Sequence, residues 1–102
     1  MKLPEKIKKE TGLPVYYGRM AKNTAKFPFI VYLGTGQNVE YADNSRYHVR
    51  NAYRIEYYYV KKDEDKEAAL EAALSNLGFM FERSEDTYID GSDIYVIYYY
   101  IS

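Results

Sequence analysis

The stretch RYHVRNAYRIEYYYV, Arg46–Val60, decides the fold because its residues alternate with a period of two. One set of alternate positions is apolar or aromatic and is interrupted only by Asn51: Tyr47, Val49, Tyr53, Ile55, Tyr57 and Tyr59. The other set is polar: Arg46, His48, Arg50, Arg54 and Glu56. This pattern predicts an antiparallel strand with one buried and one wet face. The stretch is long for one strand, so we expect a bulge or break near Asn51-Ala52.

The flanking sequence predicts the other strands of a sheet. Phe27–Leu33 is apolar on both faces, and we expect a turn at Gly34–Asn38, a short pairing segment at Val39–Ala42 and a second turn at residues 43–45. Leu13–Tyr17 is expected to be extended because Pro14 disfavours a helical Leu13. The C-terminal strands are predicted at Phe79–Arg83, Thr87–Ile89 and Ile94–Ile101, with a hairpin loop at Asp90–Asp93.

Two helices are predicted, one short and one long. Leu3–Glu10 is amphipathic and is followed by a stop signal at Gly12. Asp63–Leu77 has an acidic first turn, a terminating Gly78 and an apolar stripe that consists of Leu70, Ala73, Leu74 and Leu77. The sequence therefore predicts an α+β fold in which a single antiparallel sheet carries a short N-terminal helix and one longer helix packed on one face. We expect one domain over residues 1–102.

Composition narrows the cellular setting. The chain has 102 residues, 47% of them hydrophobic, and no cysteine, so neither a disulfide framework nor a thiolate metal site is available. No stretch approaches the roughly 18 apolar residues of a membrane helix, and the charged start lacks the apolar core of a secretory signal. We therefore expect a protein of the cytosol, or one assembled there, without a membrane partner.

Charge and tyrosine content point towards association with other proteins. Residues 1–54 hold ten Lys/Arg and four Asp/Glu (+6), and residues 55–102 hold four Lys/Arg and eleven Asp/Glu (−7), which together give the net charge of −1. Such a chain presents opposite charges to copies of itself unless folding mixes the two halves. The fourteen tyrosines favour strands, and tyrosine is enriched at protein interfaces.

Residues that could carry chemistry are sparse. His48 is the only histidine, and neither a second histidine nor a cysteine is available to complete a zinc site. Asp86, Asp90 and Asp93 lack the ligand spacing of a calcium loop and are explained by a turn around Gly91. There is no phosphate-binding glycine motif. We therefore predict no catalytic, cofactor-binding or metal-binding residue, and no enzymatic activity.

A small module for single-stranded nucleic acid is the main alternative, beside a small regulatory protein. Arg46, Arg50 and Arg54 share one face of the predicted strand, and arginines with aromatic residues on a sheet can stack bases. Two observations argue against it: the tyrosines of this strand occupy the opposite face, and the pI is about 5.8. We therefore expect no specific nucleic-acid partner.

The order of segments resembles one family of proteins. The segments that carry the likeness are LPVYYG at 13–18, FPFIVY at 27–32, YAD at 41–43, YRIEYY at 53–58, an acidic helix at 67–77, FMF at 79–81 and YVIYY at 95–99. In this order and spacing the chain resembles the small tail-completion proteins of long-tailed bacteriophages and prophages, the tail-terminator and head–tail joining group. The likeness spans nearly the whole chain.

The resemblance implies a structural role without an active site. It implies an α+β subunit that forms a homo-oligomeric ring, commonly a hexamer, which caps the tail tube or joins the tail to the head connector. Assembly in the host-cell cytoplasm and a place at the virion tail or head–tail junction follow, with a subunit that can remain monomeric until it meets the tail tube. The sequence-derived interface candidates are a basic row on one side (Arg46, Arg50 and Arg54) and an acidic cluster on the other (Asp63, Glu64 and Asp65).

Overall fold

A computed structural model describes residues 3–18, 27–42 and 46–102, with side chains at 3–18, 27–36 and 51–102. The elements in chain order are α1 (Leu3–Thr11), β1 (Val15–Tyr17), β2 (Phe29–Ala42), β3 (Arg46–Tyr59), α2 (Glu64–Asn76), β4 (Phe81–Arg83), β5 (Thr87–Tyr88) and β6 (Tyr95–Ile101). The predicted α+β fold is confirmed, and the predicted helices and strands occur in the expected order.

The sheet is mixed rather than wholly antiparallel, which corrects one detail of the prediction. The strand order is β1-β2-β3-β6-β4, and β5 pairs with another part of β6. All neighbouring pairs are antiparallel except β1 and β2, which run parallel from Val15↔Ile30 to Tyr17↔Tyr32. Parallel strands need a long connection, and residues 18–28, between β1 and β2 in the chain, supply enough length for one.

The turn expected at Gly34–Asn38 is wrong, because β2 continues through it. β2 pairs with β3 from Phe29↔Tyr58 to Ala42↔Arg46, with a register shift between Gly34 and Gly36. Gly36 has a φ of 121°, which disfavours other residues, so the glycine-rich segment forms a bulge and not a chain reversal. The irregularity expected in the long strand near Asn51-Ala52 thus lies opposite that point, on β2. The turn expected at residues 43–45 lies outside the described residues.

Helix α2 begins at a side-chain cap and covers one face of the sheet. The Asp63 carboxylate accepts hydrogen bonds from the backbone N–H groups of Asp65 and Lys66, as expected of an N-cap. Leu70 and Leu74 are fully buried and belong to the same core cluster as Ile7 of α1. The remaining buried members of this cluster are Leu13, Ile30, Ile55, Tyr57, Tyr59, Ile97, Tyr99 and Ile101. Both helices therefore pack on the same side of the sheet.

Replacing Leu74 with alanine tests the position of α2. Leu74 has no exposed surface, so the cavity left by Leu74→Ala should lower the free energy of unfolding by about 2 to 5 kcal/mol. Met80 is 73% exposed, and the control Met80→Ala should change it by less than about 0.5 kcal/mol. Urea denaturation followed by circular dichroism measures both. Equal effects of the two substitutions would show that α2 does not cover the sheet as described.

Candidate interaction surface

The two faces of the sheet have different surroundings. The registers place Ile55, Tyr57 and Tyr59 beside Tyr99, Ile97 and Tyr95, on the face that α1 and α2 cover. The alternate residues lie on the opposite face, over which no described helix packs. We call this the open face, and its described residues include Tyr16, Phe29, Val31, Arg54, Glu56, Tyr58, Val96, Tyr98 and Tyr100. On this face Tyr100 is exposed, whereas Phe29, Val31, Glu56 and Val96 are buried and the other named residues are partly buried.

Tyrosines and an arginine share the open face, which corrects one premise of the sequence argument. Within β3 the prediction holds for Tyr53 and Tyr57, which lie on the face opposite Arg54, but Tyr58 shares the face of Arg54. The neighbouring strand β6, however, adds Tyr98 and Tyr100 to the arginine side, and the Arg54 guanidinium carbon lies 5.9 Å from the centre of the Tyr98 ring. Periodicity within one strand could not show what the adjacent strand contributes.

An aromatic cluster occupies the open face near the start of β2. The ring of Phe29 stacks on Tyr58 with centroids 5.0 Å apart, meets Tyr16 edge-on at 6.0 Å and lies 5.1 Å from Phe27. Phe29 is itself buried, whereas Phe27 is 41% exposed. Aromatic pairs of this geometry contribute about 0.5–1.5 kcal/mol each beyond their buried area. The cluster thus holds a rigid apolar surface with Phe27 at its solvent side.

A buried carboxylate organises the polar part of the open face. Glu56 is only 7% exposed; its Oε2 lies 2.8 Å from Nε of Arg54, and its Oε1 accepts a hydrogen bond from the Tyr58 hydroxyl at 2.5 Å. Burial, followed by the hydrogen bond to this carboxylate, raises the pKa of Tyr58. Arg54, one of the interface candidates, is therefore already paired within its own chain and is less available to a second charge.

The end of the sheet where β3 finishes is both apolar and acidic. Val60 directly follows β3 and is 46% exposed, and Phe27 lies two residues before Phe29, the first residue of β2, which pairs with Tyr58. Exposed Glu64 and Asp65 begin α2 there, and exposed Asp90 and Asp93 lie in the loop that leads into β6, whose Tyr95 pairs with Tyr59. We call this region the far end: Phe27, Val60, Glu64, Asp65, Asp90 and Asp93. Lys61 and Lys62, which follow Val60, are exposed cations beside them, and Lys62 pairs with Glu67 and Asp86.

The structure separates the basic and acidic interface candidates. Arg46 is the first residue of β3 and Arg50 lies four residues further along, although both side chains are outside the described set. The acidic candidates follow the opposite end of the same strand. The thirteen steps from Arg46 to Tyr59 correspond to about 43 Å at about 3.3 Å per residue. Asp63 serves as the cap of α2, which leaves Glu64 and Asp65 as the acids free of a capping role.

A second set of charges ties α2 to the edge of the sheet. Glu67 lies on the buried side of α2, and its carboxylate lies 2.8 Å from both the Lys62 ammonium and the Arg83 guanidinium. Asp86 lies 2.7 Å from Lys62 and 3.3 Å from Arg83, and it accepts a hydrogen bond from the Tyr59 hydroxyl. These contacts lie within one chain, so this network stabilises the subunit.

Residues considered for metal or catalytic chemistry do not converge. Asp86 is engaged by the two cations just described, and no group of His, Cys, Asp or Glu side chains within the described set has a metal-binding arrangement. The side chain of His48 lies outside the described set. A cleft of about 320 Å³ is lined by Met80, Glu82, Tyr100 and Ser102 among others, and no described hydrogen bond joins a hydroxyl of this lining to the Glu82 carboxylate. The described helices include none that is long and apolar enough to cross a membrane.

Several residues of this surface were missed by the sequence analysis. Phe27 and Val60 were assigned to strands without an expectation of exposure, and Asp90 and Asp93 were weighed only as metal ligands. Their proximity depends on the pairing of β6 with β3, which brings residues more than thirty positions apart to one edge. The sequence held one weak signal of this exposed surface: the apolar Val60 stands immediately before Lys61 and Lys62, which precede α2.

The Asp86 network should make stability depend on acid pH. Burial alone would raise the pKa of the Asp86 carboxyl, but hydrogen bonds from Lys62 and Tyr59 outweigh it and lower the pKa below its ordinary value of 3.8. The stabilisation is therefore present above about pH 4 and disappears as the pH falls through the lowered pKa. Asp86→Asn should lower the free energy of unfolding by about 1 kcal/mol near pH 7 and by much less near pH 2.

Urea denaturation of wild type and variant at several pH values measures this effect. Asp90→Asn is the matched control, because Asp90 is exposed and has no ion pair to another described residue. A destabilisation by Asp86→Asn that is constant from neutral to acid pH would contradict the charged network.

Comparisons with known proteins bear on the fold. No protein-family model and no curated protein matches the chain. Among solved structures, a chain of the "Virion of native gene transfer agent (GTA) particle" is similar, with a TM-score of 0.56 and 14% sequence identity. The match covers 93% of this chain and 80% of that chain. At this identity the likeness shows a shared fold: nearly the whole chain is similar in architecture to a subunit of a virion.

Proposed function

We propose that this protein is a structural virion subunit of a phage or prophage. It forms a homo-oligomeric ring, of six copies as in the family it resembles, that closes the tail tube or joins it to the head connector. The observation that carries the proposal is the whole-length fold likeness to a chain of a phage-like particle. Its partners are further copies of itself, the tail-tube protein and the connector. The role needs no catalysis, assembly takes place in the host cytoplasm, and the product belongs to the tail or head–tail junction.

The distribution of charge supports a ring. A ring requires a heterologous interface, in which one patch of a subunit meets a different patch on the next. Arg46 and Arg50 lie about 43 Å and about 30 Å along β3 from Tyr59, and Glu64 and Asp65 follow that end of the strand. At these distances the two sets cannot pair within one copy, but they can pair between copies arranged head to tail. Such pairs mainly set register and steer association, while apolar contacts hold the ring.

Charge reversal tests this arrangement. Arg46→Glu with Arg50→Glu should abolish ring formation because it places like charges opposite the acidic start of α2. Adding Glu64→Lys with Asp65→Lys should restore part of the assembly. Asp63 is left unchanged because it caps α2, and Arg54 because it pairs with Glu56. Light scattering and negative-stain electron microscopy, with and without tail-tube protein, measure the ring.

The control reverses charges at sites remote from both patches. Lys8→Glu with Lys9→Glu changes the net charge by the same amount on the exposed side of α1 and should leave assembly unchanged. Rings that persist in the arginine variant would show that this charge pairing is wrong. Particles that have normal tail length and normal head attachment after deletion of the gene would refute the function itself.

Binding of single-stranded nucleic acid is the alternative that the open face favours, because Arg54, Tyr58, Tyr98 and Tyr100 share it. However, Glu56 already pairs with Arg54, and the chain carries a net charge of −1. We therefore expect weak, salt-labile binding, with a dissociation constant well above about 1 µM near 0.15 M salt. Fluorescence anisotropy with labelled oligonucleotides measures it. Sub-micromolar binding that Tyr98→Ala abolishes would favour the alternative.

A further inference from the structure

Strands β2 and β3 extend beyond the rest of the sheet as a two-stranded arm. β1 pairs with β2 only as far as Tyr32, and β6 pairs with β3 only as far as Tyr53. Past these points Gly36–Ala42 pairs with Arg46–Ala52, and no other described strand flanks either side. We call these two paired segments the arm. Seven residues per strand give it a length of about 23 Å.

An arm of this kind gains little stability from its own chain. An isolated two-stranded hairpin is marginal in water because it has no third strand and no packed face. The described core cluster lies entirely outside the arm. The bulge at Gly34/Gly36 interrupts the regular pairing of β2 with β3 at the base of the arm. The arm is therefore separated from the packed part of the sheet.

The far end of the same copy is out of reach of the arm. The arm projects along the direction of the strands. The chain measures 52 × 27 × 23 Å, and its long dimension is close to the length of β2 and β3, which have 14 residues each and lie side by side. Asn38 pairs with Arg50. Val60 is ten residue steps further along the chain from Arg50, which corresponds to about 33 Å at the rise of a strand. A contact between the arm and the far end must therefore join two copies.

The far end has the chemistry to receive such an arm. Phe27 and Val60 supply an exposed apolar ledge backed by the Phe29–Tyr58 stack. Four exposed acids lie on the segments that follow β3 and precede β6 at this end, and the arm strands carry two arginines against one glutamate. Donor and acceptor are different patches of one chain, which is the condition for a heterologous contact with a second copy.

We propose that the arm of one copy docks on the far end of the next, across Phe27 and Val60. This contact rests on the proposed ring and identifies the element that closes it. Docking gives the arm the packed face that it lacks and covers the apolar ledge. Each copy has one arm and one far end, so copies can join head to tail in the same orientation until the ring closes.

Disulfide trapping tests the contact, and the absence of natural cysteines makes every cross-link interpretable. Asn38→Cys marks the arm and Val60→Cys marks the far end in two separately tagged proteins, which are mixed and oxidised. A disulfide requires Cα atoms within about 7 Å, so it forms between copies and not along the 33 Å of one copy. We expect the mixed product to exceed the control by at least tenfold. The control replaces Val60→Cys with Ala72→Cys on the exposed side of α2.

A shortened variant gives an independent reading. Replacing residues 35–52 with Asn-Gly joins Gly34 to Tyr53, which pair in the sheet, through a two-residue turn. This variant should keep the helical circular dichroism signal and cooperative unfolding but lose ring formation. Rings formed by a folded armless variant would overturn the proposal.

The outcomes separate this contact from the ring itself. Rings without arm–far-end cross-links above the control overturn the arm contact and leave the proposed function intact. Cross-links whose products stop at closed dimers support the arm contact and refute the ring. Neither cross-links nor rings, with tail-tube protein present, refute both.

Discussion

The antiparallel pairing of β2 with β3 is the constraint on which the rest of the structure depends. It sets Ile30 beside Tyr57 and Val31 beside Glu56, and thereby decides which residues face the helices. A slip of one residue would turn Glu56 into the core and Tyr57 towards water, so the alternation enforces the register strongly. β1 and β6 then attach to the outer sides of this pair. Both the helix-covered core and the open face follow from the same register.

The buried charge at Glu67 fixes the second layer. A carboxylate that is 3% exposed is tolerated only with compensation, which Lys62 and Arg83 provide. Tyr57 lies in the same interior; burial and then the Glu67 charge raise the pKa of its hydroxyl to about 12, which keeps it neutral. The Tyr99 hydroxyl donates to Glu71 at 2.8 Å, so α2 is held to β6 by a polar contact as well as by leucines. These contacts lock α2 against one face of the sheet.

Sequence periodicity predicted the element types well because each element buries its own stripe. The long alternating strand, the leucine stripe of α2 and the closing strand needed no tertiary information. The turn at Gly34–Asn38 failed because glycine allows both a reversal and a bulge, and the choice depends on the length of β3 opposite. The parallel placement of β1 is likewise decided by a neighbour and not by its own three residues.

The candidate surface was harder to predict, for a related reason. The sequence shows the charged residues of the basic row and the acidic cluster. It does not show which of these residues form ion pairs or caps inside the subunit. Arg54 is taken by Glu56, Asp63 by the helix cap, and Asp86 by Lys62 and Arg83. The first two are local contacts, whereas the position of Asp86 depends on the pairing of β4 and β5 with β6.

Internal pairing of charge also explains how a nearly neutral chain acquires two distinct ends. The C-terminal half holds eleven acids, but the ion pairs of Arg83 and Lys62 occupy three of them: Glu67, Glu71 and Asp86. Those that remain exposed around Phe27 and Val60 are carried on the α2 start and the β5–β6 loop, both at the end where β3 finishes. The arginines Arg46 and Arg50 belong to the other end. Lys62 and Arg83 belong to the same half of the chain as the acids that they pair with, so the charge asymmetry between the two halves survives folding. It is expressed as a difference along the axis of β3, the direction in which head-to-tail neighbours would meet.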